Sequence, residues 1–332
     1  MYHSFFGLKE SPFNVNPDPR YLFMTQHTLE ALACLTYGIE AQKGFVLLSG
    51  EVGTGKTTLL NKLLEWLQEG GAATAFVFNP RLTVTQFFDF MMTDFGIPCD
   101  PNMKSQVLLK LYHWLLERHR TGQRAVLVVD EAQNLSSQTL EEIRLLSNLE
   151  TSTKKLLQII LSGQPELETK LNQPALRQLR QRITLRAKTR ALTVEETGGY
   201  LRERLRVAGA GTGEIFAPDA VRAIHHYSRG IPRVINVVSE HALINAFADQ
   251  ENSISEEIVR EVACDFDLHE RDSLSQEIPL KPINGNIPAN GAGRIPRNGA
   301  GASSESLTKV LANLMGRLDR LEAITPKEQI KQ

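Results

Sequence analysis

The sequence predicts an α/β protein: a parallel sheet with helices on both faces, followed by a small helical unit. Three observations carry this reading. Short apolar runs alternate with helical patterns up to about residue 190, the order that builds a covered parallel sheet. A glycine-rich turn, Gly50 to Thr57, stands between one apolar run and an amphipathic segment, the setting expected of a phosphate-cradling loop. Beyond residue 190 the strand pattern stops and only helical spacing remains.

Residues 1–26 are rich in Pro, Asn and aromatics and read as an ordered loop, since such residues suit packing better than solvation. From His27 to Gln42, Leu29, Leu32, Leu35 and Ile39 recur at helical spacing. Phe45–Ser49 is a wholly apolar strand candidate. The helix after the turn would face inward with Leu59, Leu60, Leu63, Leu64 and Leu67. Further strands are expected at Thr74–Phe78, Ala125–Val129 and Leu156–Leu161, with a weaker one at Ile183–Lys188. Helical patterns separate them at Val84–Phe95, Lys104–His119 and Gln138–Glu150. The core is thus expected over 27–190. A helical unit over 191–268 would hold helices at Val194–Val207, Pro218–Ser228, Pro232–Asp249 and Ser255–Phe266.

Residues 269–306 are dominated by Gly, Pro, Asn and Ser and read as a flexible linker with little to bury. Over 307–325, Leu307, Leu311, Leu314, Leu318 and Leu321 form a short a/d seam, as in a coiled coil. Such a helix would fold only against a partner.

The chain has 332 residues, 42% of them hydrophobic and 23% charged, an ordinary soluble composition. Its three cysteines lack metal-ligand spacing and suit a reducing compartment. No apolar run reaches the roughly 20 residues needed to cross a bilayer, and the N-terminus does not read as a signal peptide. A net charge of −1 argues against a nucleic-acid footprint over the whole protein. His225 and His226 are adjacent and would diverge on a helix, so no metal site is expected there.

Gly50-Glu51-Val52-Gly53-Thr54-Gly55-Lys56-Thr57 fits GxxxxGK[ST] in full, and Thr58 extends it. The glycines, Gly50, Gly53 and Gly55, let backbone N–H groups turn around a phosphate, and the following helix start favours the anion. Lys56 would meet the β- and γ-phosphates, and the Thr57 hydroxyl a magnesium ion. Val126–Val129 then leads into Asp130-Glu131. A carboxylate at the end of a parallel strand sits where ligands bind. Asp130 would hold magnesium, and Glu131 would orient and deprotonate a water.

Asn79 and Gln164 also follow apolar strands, and Arg233 begins a helix. A cation there opposes the helix dipole, so Arg233 would seek an anion such as a γ-phosphate. The stretch Arg177 to Arg190 holds six basic and no acidic residues. It could be a nucleic-acid patch, an arginine finger toward a neighbouring subunit, or a solvated helix face.

The ordered set GEVGTGKTT, FNP, VVDEAQNL, EEIRLLSNLET, IILSGQPEL, LRQLRQRI and GIPRVIN, with the opening FFGL…SPFNVNPDPRYLF, closely resembles the ATPases of the general secretion pathway protein A family. These are members of the AAA+ superfamily, and the group includes the ATPases of exopolysaccharide and PEP-CTERM sorting systems. The resemblance covers about residues 1–268. It implies a sheet of order 5-1-4-3-2 with a helical lid, ATP and Mg2+ as ligands, and hydrolysis to ADP and phosphate. It implies that Lys56 and Thr57 belong to Walker A, and Asp130 and Glu131 to Walker B. Asn79 resembles the residue that toggles Glu131, Gln164 resembles sensor 1, and Arg233 resembles sensor 2. Arg182 resembles the arginine finger, with Arg180 its rival. It also implies a ring-like homo-oligomer, an N-terminal segment near the nucleotide, and a cytoplasmic location with membrane association only through partners. The better-known secretion members continue into a transmembrane helix and a peptidoglycan-binding domain. Here the linker and the leucine seam follow instead, so direct cell-wall remodelling is not expected.

Two functional readings follow. One is a motor or switch for a secretion or polysaccharide export system, recruited through the C-terminal seam. The other is a DNA-binding regulator of the transposition type that uses Arg177–Arg190.

Overall fold

A computed structural model describes residues 2–78, 82–98, 100, 103–211 and 214–268. Five strands, β1 (Phe45–Ser49), β2 (Ala73–Val77), β3 (Ala125–Val129), β4 (Leu157–Gly163) and β5 (Ile183–Lys188), form one sheet in the order β2-β3-β4-β1-β5. Every pairing is parallel. Read from the other edge this is the expected order 5-1-4-3-2. The interior strands β1, β3 and β4 are buried at every residue, which is why they read as unbroken apolar runs rather than alternating ones.

Alternate strand residues serve opposite faces. Leu47, Leu127 and Ile159 face one layer, built from α4 (Val84–Asp94), α5 (Lys104–Arg120), α6 (Ser137–Leu146), α7 (Pro165–Leu171) and α8 (Arg177–Arg182). Val46, Val126 and Ile160 face the other, where α2 (Gln26–Glu40) and α3 (Lys56–Glu69) contribute Leu32, Leu35, Leu60 and Leu63. Helix boundaries shift locally from those expected. Thr25 caps α2 through its side chain, which starts that helix at Gln26. The Ser147 hydroxyl donates to Arg144 O at 2.7 Å as α6 ends, four residues before the pattern suggested. β4 runs on to Gly163, which brings Ser162 inside the sheet.

The helical lid consists of α9 (Val194–Val207), α10 (Pro218–Ser228), α11 (Pro232–Ala248) and α12 (Glu256–Asp265). Its core includes Leu201, Ile224, Ile235, Leu243 and Val259. The N-terminal segment is not all loop: it contains α1 (Tyr2–Phe5) and a 3-10 turn at Pro19–Tyr21. Phe6, Leu8 and Phe13 bury themselves in the lid core. Buried Arg204 of α9 holds this segment by donating to Pro12 O at 2.5 Å and Asn14 O at 3.0 Å. Further along, Pro17 O accepts from Asn61 Nδ2 of α3 at 3.1 Å. One short segment therefore touches both the lid and the helix that starts at the glycine-rich turn.

Asn79 and Cys99, the linker expected over 269–306 and the leucine seam over 307–325 lie outside the described residues. Among the described residues, no helix is long and apolar enough to cross a membrane.

Candidate active site

The glycine-rich turn joins β1 to α3 at the C-terminal rim of the sheet. Gly53 and Gly55 have φ of 80° and 91°, in the left-handed region that favours glycine. At Gly53 a side chain would also meet Arg233 Cβ at 2.8 Å. The start of α3 has no side-chain cap, so its first N–H groups lack that partner and suit an anion. Lys56 is buried, and its Nζ donates to Gly50 O at 2.8 Å and Glu51 O at 2.9 Å. Burial pushes the Lys56 ammonium below its ordinary pKa, while the carboxylates of Glu131 and Asp130 push it back up.

Asp130 follows β3 and is buried. Its Oδ2 accepts from the Thr57 hydroxyl at 2.7 Å, and its Oδ1 accepts from the Ser162 hydroxyl at 2.7 Å and from Glu131 N at 2.9 Å. Three elements, α3, β3 and β4, thus converge on one carboxylate. A buried carboxylate beside a threonine hydroxyl is a hard-oxygen donor set that suits Mg2+. Ser162 escaped the sequence reading because a small residue inside an apolar strand gives no signal of its partner.

Glu131 adopts φ 53° and ψ 34° ahead of a 3-10 turn at Ala132–Asn134. A non-glycine residue there carries strain. Its Oε2 accepts from Gln133 Nε2 at 2.6 Å and from Gln164 Nε2 at 3.0 Å. Gln164 therefore meets Glu131 directly, at the sheet rim where the strand pattern placed it. Gln133 was not singled out in the sequence, because the turn that folds it back is set by backbone geometry.

A cleft of about 260 Å³ opens between the sheet rim, the lid and the N-terminal segment. Gly53 to Thr58, Glu131, Arg233, Tyr200, Arg204 and the stretch Val15–Asp18 line it. Arg233 reaches it from the first turn of α11, where its backbone N–H donates to Gly53 O at 3.1 Å. Gly230 (φ 71°) sets up this approach: a Cβ there would lie 2.0 Å from Leu192 O. Gly50, Asp130 and Gln164 are not among the lining residues, and Asp130 and Gln164 connect to it through Thr57 and Glu131. Arg182 does not join them. Its Nη1 donates to the Ser147 hydroxyl and to Arg144 O at 3.4 Å, at the far end of α6. Arg180 is exposed. Among the described residues, no group of His, Cys, Asp and Glu suits a metal ion by itself.

The parallel sheet of this order, the glycine-rich turn and the helical lid define the AAA+ P-loop class. Residues 39–171 match the family model described as an AAA domain. The chain belongs to the AAA+ superfamily and is related over three quarters of its length to general secretion pathway protein A. Over 249 residues it is 47% identical to that protein from Aeromonas hydrophila, covering 75% of this chain and 45% of the relative. The chain thus spans less than half the length of that curated relative. Among solved structures, ORC2 from Aeropyrum pernix, in ADPNP and ADP complexes, is similar with a TM-score of 0.58. Identity is 19%, and 80% of this chain and 75% of that one are covered. Cdc6p from Pyrobaculum aerophilum gives a TM-score of 0.56 at 18% identity, covering 79% and 70%. Drosophila ORC bound to DNA gives 0.57 at 20% identity, covering 77% and 64%. At these identities the likeness concerns the fold alone.

Proposed function

We propose that this chain is a Mg2+-dependent ATP hydrolase that acts as a switch in a cell-envelope secretion or polysaccharide export system. The supporting observation is that one cleft brings together buried Lys56, the uncapped start of α3 and the Glu131 carboxylate. The N–H groups of Gly53–Thr57 and the Lys56 ammonium bind and orient the phosphates. Thr57 and Asp130 would hold Mg2+, which when bound neutralises charge on the β- and γ-phosphates. Glu131 takes a proton from water as the water oxygen bonds to the γ-phosphorus. The bond to the bridging oxygen breaks, leaving ADP and phosphate. Gln164 holds Glu131, and Arg233 faces the phosphates from the lid. Arg182 is assigned to the site of a neighbouring copy, with Arg180 its rival, in a homo-oligomeric ring. The export role rests on the relationship to general secretion pathway protein A.

The DNA-binding reading has less behind it. Glu168 pairs with Lys188 at 3.0 Å and Arg186 at 3.7 Å, and Glu196 pairs with Arg190 at 3.3 Å. Three of the six basic residues are therefore ion-paired within the chain, to two carboxylates. Binding and single-turnover hydrolysis test the main reading. Lys56→Ala should lose tight ATP binding. Glu131→Gln should bind ATP but hydrolyse it roughly 10²–10⁴-fold more slowly, the range for a lost general base. Turnover like the wild type in Glu131→Gln removes it from the mechanism. ATPase activity stimulated by DNA with a steep salt dependence would favour the regulator instead.

A further inference from the structure

We infer that Gln133 is the positioning residue of Glu131: its side-chain amide fixes which carboxylate oxygen faces the cleft. This rests on the reading of Glu131 as the general base. The 3-10 turn over Ala132–Asn134 carries the chain back on itself two residues after Glu131. Gln133 Nε2 then donates to Glu131 Oε2 at 2.6 Å. Gln164 Nε2 donates to the same oxygen at 3.0 Å. No described residue donates to Oε1, so that oxygen remains to receive a water's proton.

The amide is itself held from both ends. Gln133 Oε1 accepts from Gln164 N at 3.2 Å, which ties it to the end of β4. Lys170 Nζ of α7 donates to the Gln133 carbonyl at 3.0 Å. The seat also depends on a missing side chain, because a Cβ on Gly163 would lie 2.7 Å from Gln133 Oε1. A glutamine fits here because its amide donates to the carboxylate and accepts from the backbone at once. Holding a base in one orientation removes rotamer freedom that would otherwise be lost on the way to reaction. Gln133 itself is not among the residues lining the cleft, so it acts through Glu131 and not on substrate.

The test uses the full chain. Gln133→Met keeps length but can neither donate nor accept, and Gln133→Glu keeps the acceptor for Gln164 N but loses the donor. Both should lower kcat roughly 10–100-fold, the scale of loss from slight misplacement of a reacting group. Affinity for a fluorescent ATP analogue should stay within about twofold, as for a group that does not touch the nucleotide. On a Glu131→Gln background, Gln133→Met should add nothing, because no base is left to position. In nucleotide-free protein, the Gln133 side-chain amide resonance, assigned by its loss in Gln133→Met, should move in Glu131→Gln. An unchanged kcat, a matching loss of nucleotide affinity, a further drop on the Glu131→Gln background or an unmoved amide resonance would each overturn the inference. If Glu131→Gln itself turns over normally, the base reading fails instead, and the two failures are told apart.

Discussion

The Thr57 hydroxyl donates to Asp130 Oδ2 across 2.7 Å, which joins the first turn of α3 to the end of β3, 73 residues away. This contact pre-assembles two oxygen donors from different elements. Ser162 steadies the second from β4 by donating to Oδ1. A carboxylate held by two hydroxyls needs little reorganisation to accept a divalent cation.

Removing either donor should therefore uncouple nucleotide affinity from magnesium. In Thr57→Ala and Asp130→Ala, ATP should bind about as tightly with EDTA as with Mg2+, whereas the wild type should bind more tightly with Mg2+. Ser162→Ala should show a smaller loss, roughly 10-fold, as an outer-shell partner. Titration of labelled ATP with and without Mg2+ checks all three. An undiminished magnesium effect in Asp130→Ala would remove that carboxylate from the metal site.

The lid's hold on the N-terminal segment should be measurable as stability. Arg204 is buried, donates to Pro12 O, Asn14 O and the Tyr200 hydroxyl, and lies 4.5 Å from the Tyr21 ring centroid. Arg204→Met keeps much of the stem but leaves the buried Pro12 carbonyl and the part-buried Asn14 carbonyl without this donor. A cost of roughly 2–4 kcal/mol is expected, read by chemical denaturation. Limited proteolysis should then cut first within residues 2–25.

Buried Lys62 of α3 makes a pH prediction. Its Nζ has no hydrogen-bond partner among the described residues. Burial draws its pKa from 10.5 down to about 8, with Glu65 pulling the other way. Between those values the unfolded chain keeps a proton that the folded chain has released. Unfolding free energy should therefore rise with pH across that window, while the burial cost is felt in full below about pH 8. The difference between wild type and Lys62→Met, followed by thermal unfolding from pH 7.5 to 9.5, isolates this group. A difference that stays flat with pH would mean Lys62 is solvated or paired.

Much of the core was legible because its signals are local. An unbroken apolar run marks a strand covered on both faces, as at β1, β3 and β4. GxxxxGK[ST] encodes its own turn. What escaped depends on contacts distant in sequence or on elements too short for periodicity. α7 and α8 have seven and six residues, barely two turns. Ser49, before the glycine-rich turn, donates to Glu168 Oε1 at 2.6 Å across 119 residues, and nothing in either segment announces the other. The same holds for Ser162 on Asp130. Gln133 lies two residues from Glu131, yet the positive φ of Glu131 that aims it is invisible in the letters.

Arg182 should have two separable effects, because it is tied within its own chain. Its guanidinium donates to the Ser147 hydroxyl and to Arg144 O, where α6 ends. Satisfying a helix's last carbonyls with a cation is stabilising, so Arg182→Ala should lower stability by roughly 0.5–2 kcal/mol. The Arg180 side chain is exposed and, among the described residues, makes no hydrogen bond or ion pair, its backbone carbonyl alone accepting from Ile183 N, so Arg180→Ala should leave stability alone. Catalysis separates the two differently. The finger should bind ATP normally when replaced by alanine yet lose on the order of 10³-fold in hydrolysis. If Arg182 completes a neighbour's site, mixing Arg182→Ala with Glu131→Gln should restore partial activity. Some interfaces in a mixed assembly then pair an intact Arg182 with an intact Glu131. Activity per subunit should also rise with protein concentration. The measurements are chemical denaturation of each variant and ATPase titration of mixtures shown to co-assemble. If Arg182→Ala loses stability but keeps hydrolysis while Arg180→Ala shows the catalytic loss and the rescue, the finger is Arg180, and Arg182 serves only to anchor α8 against α6.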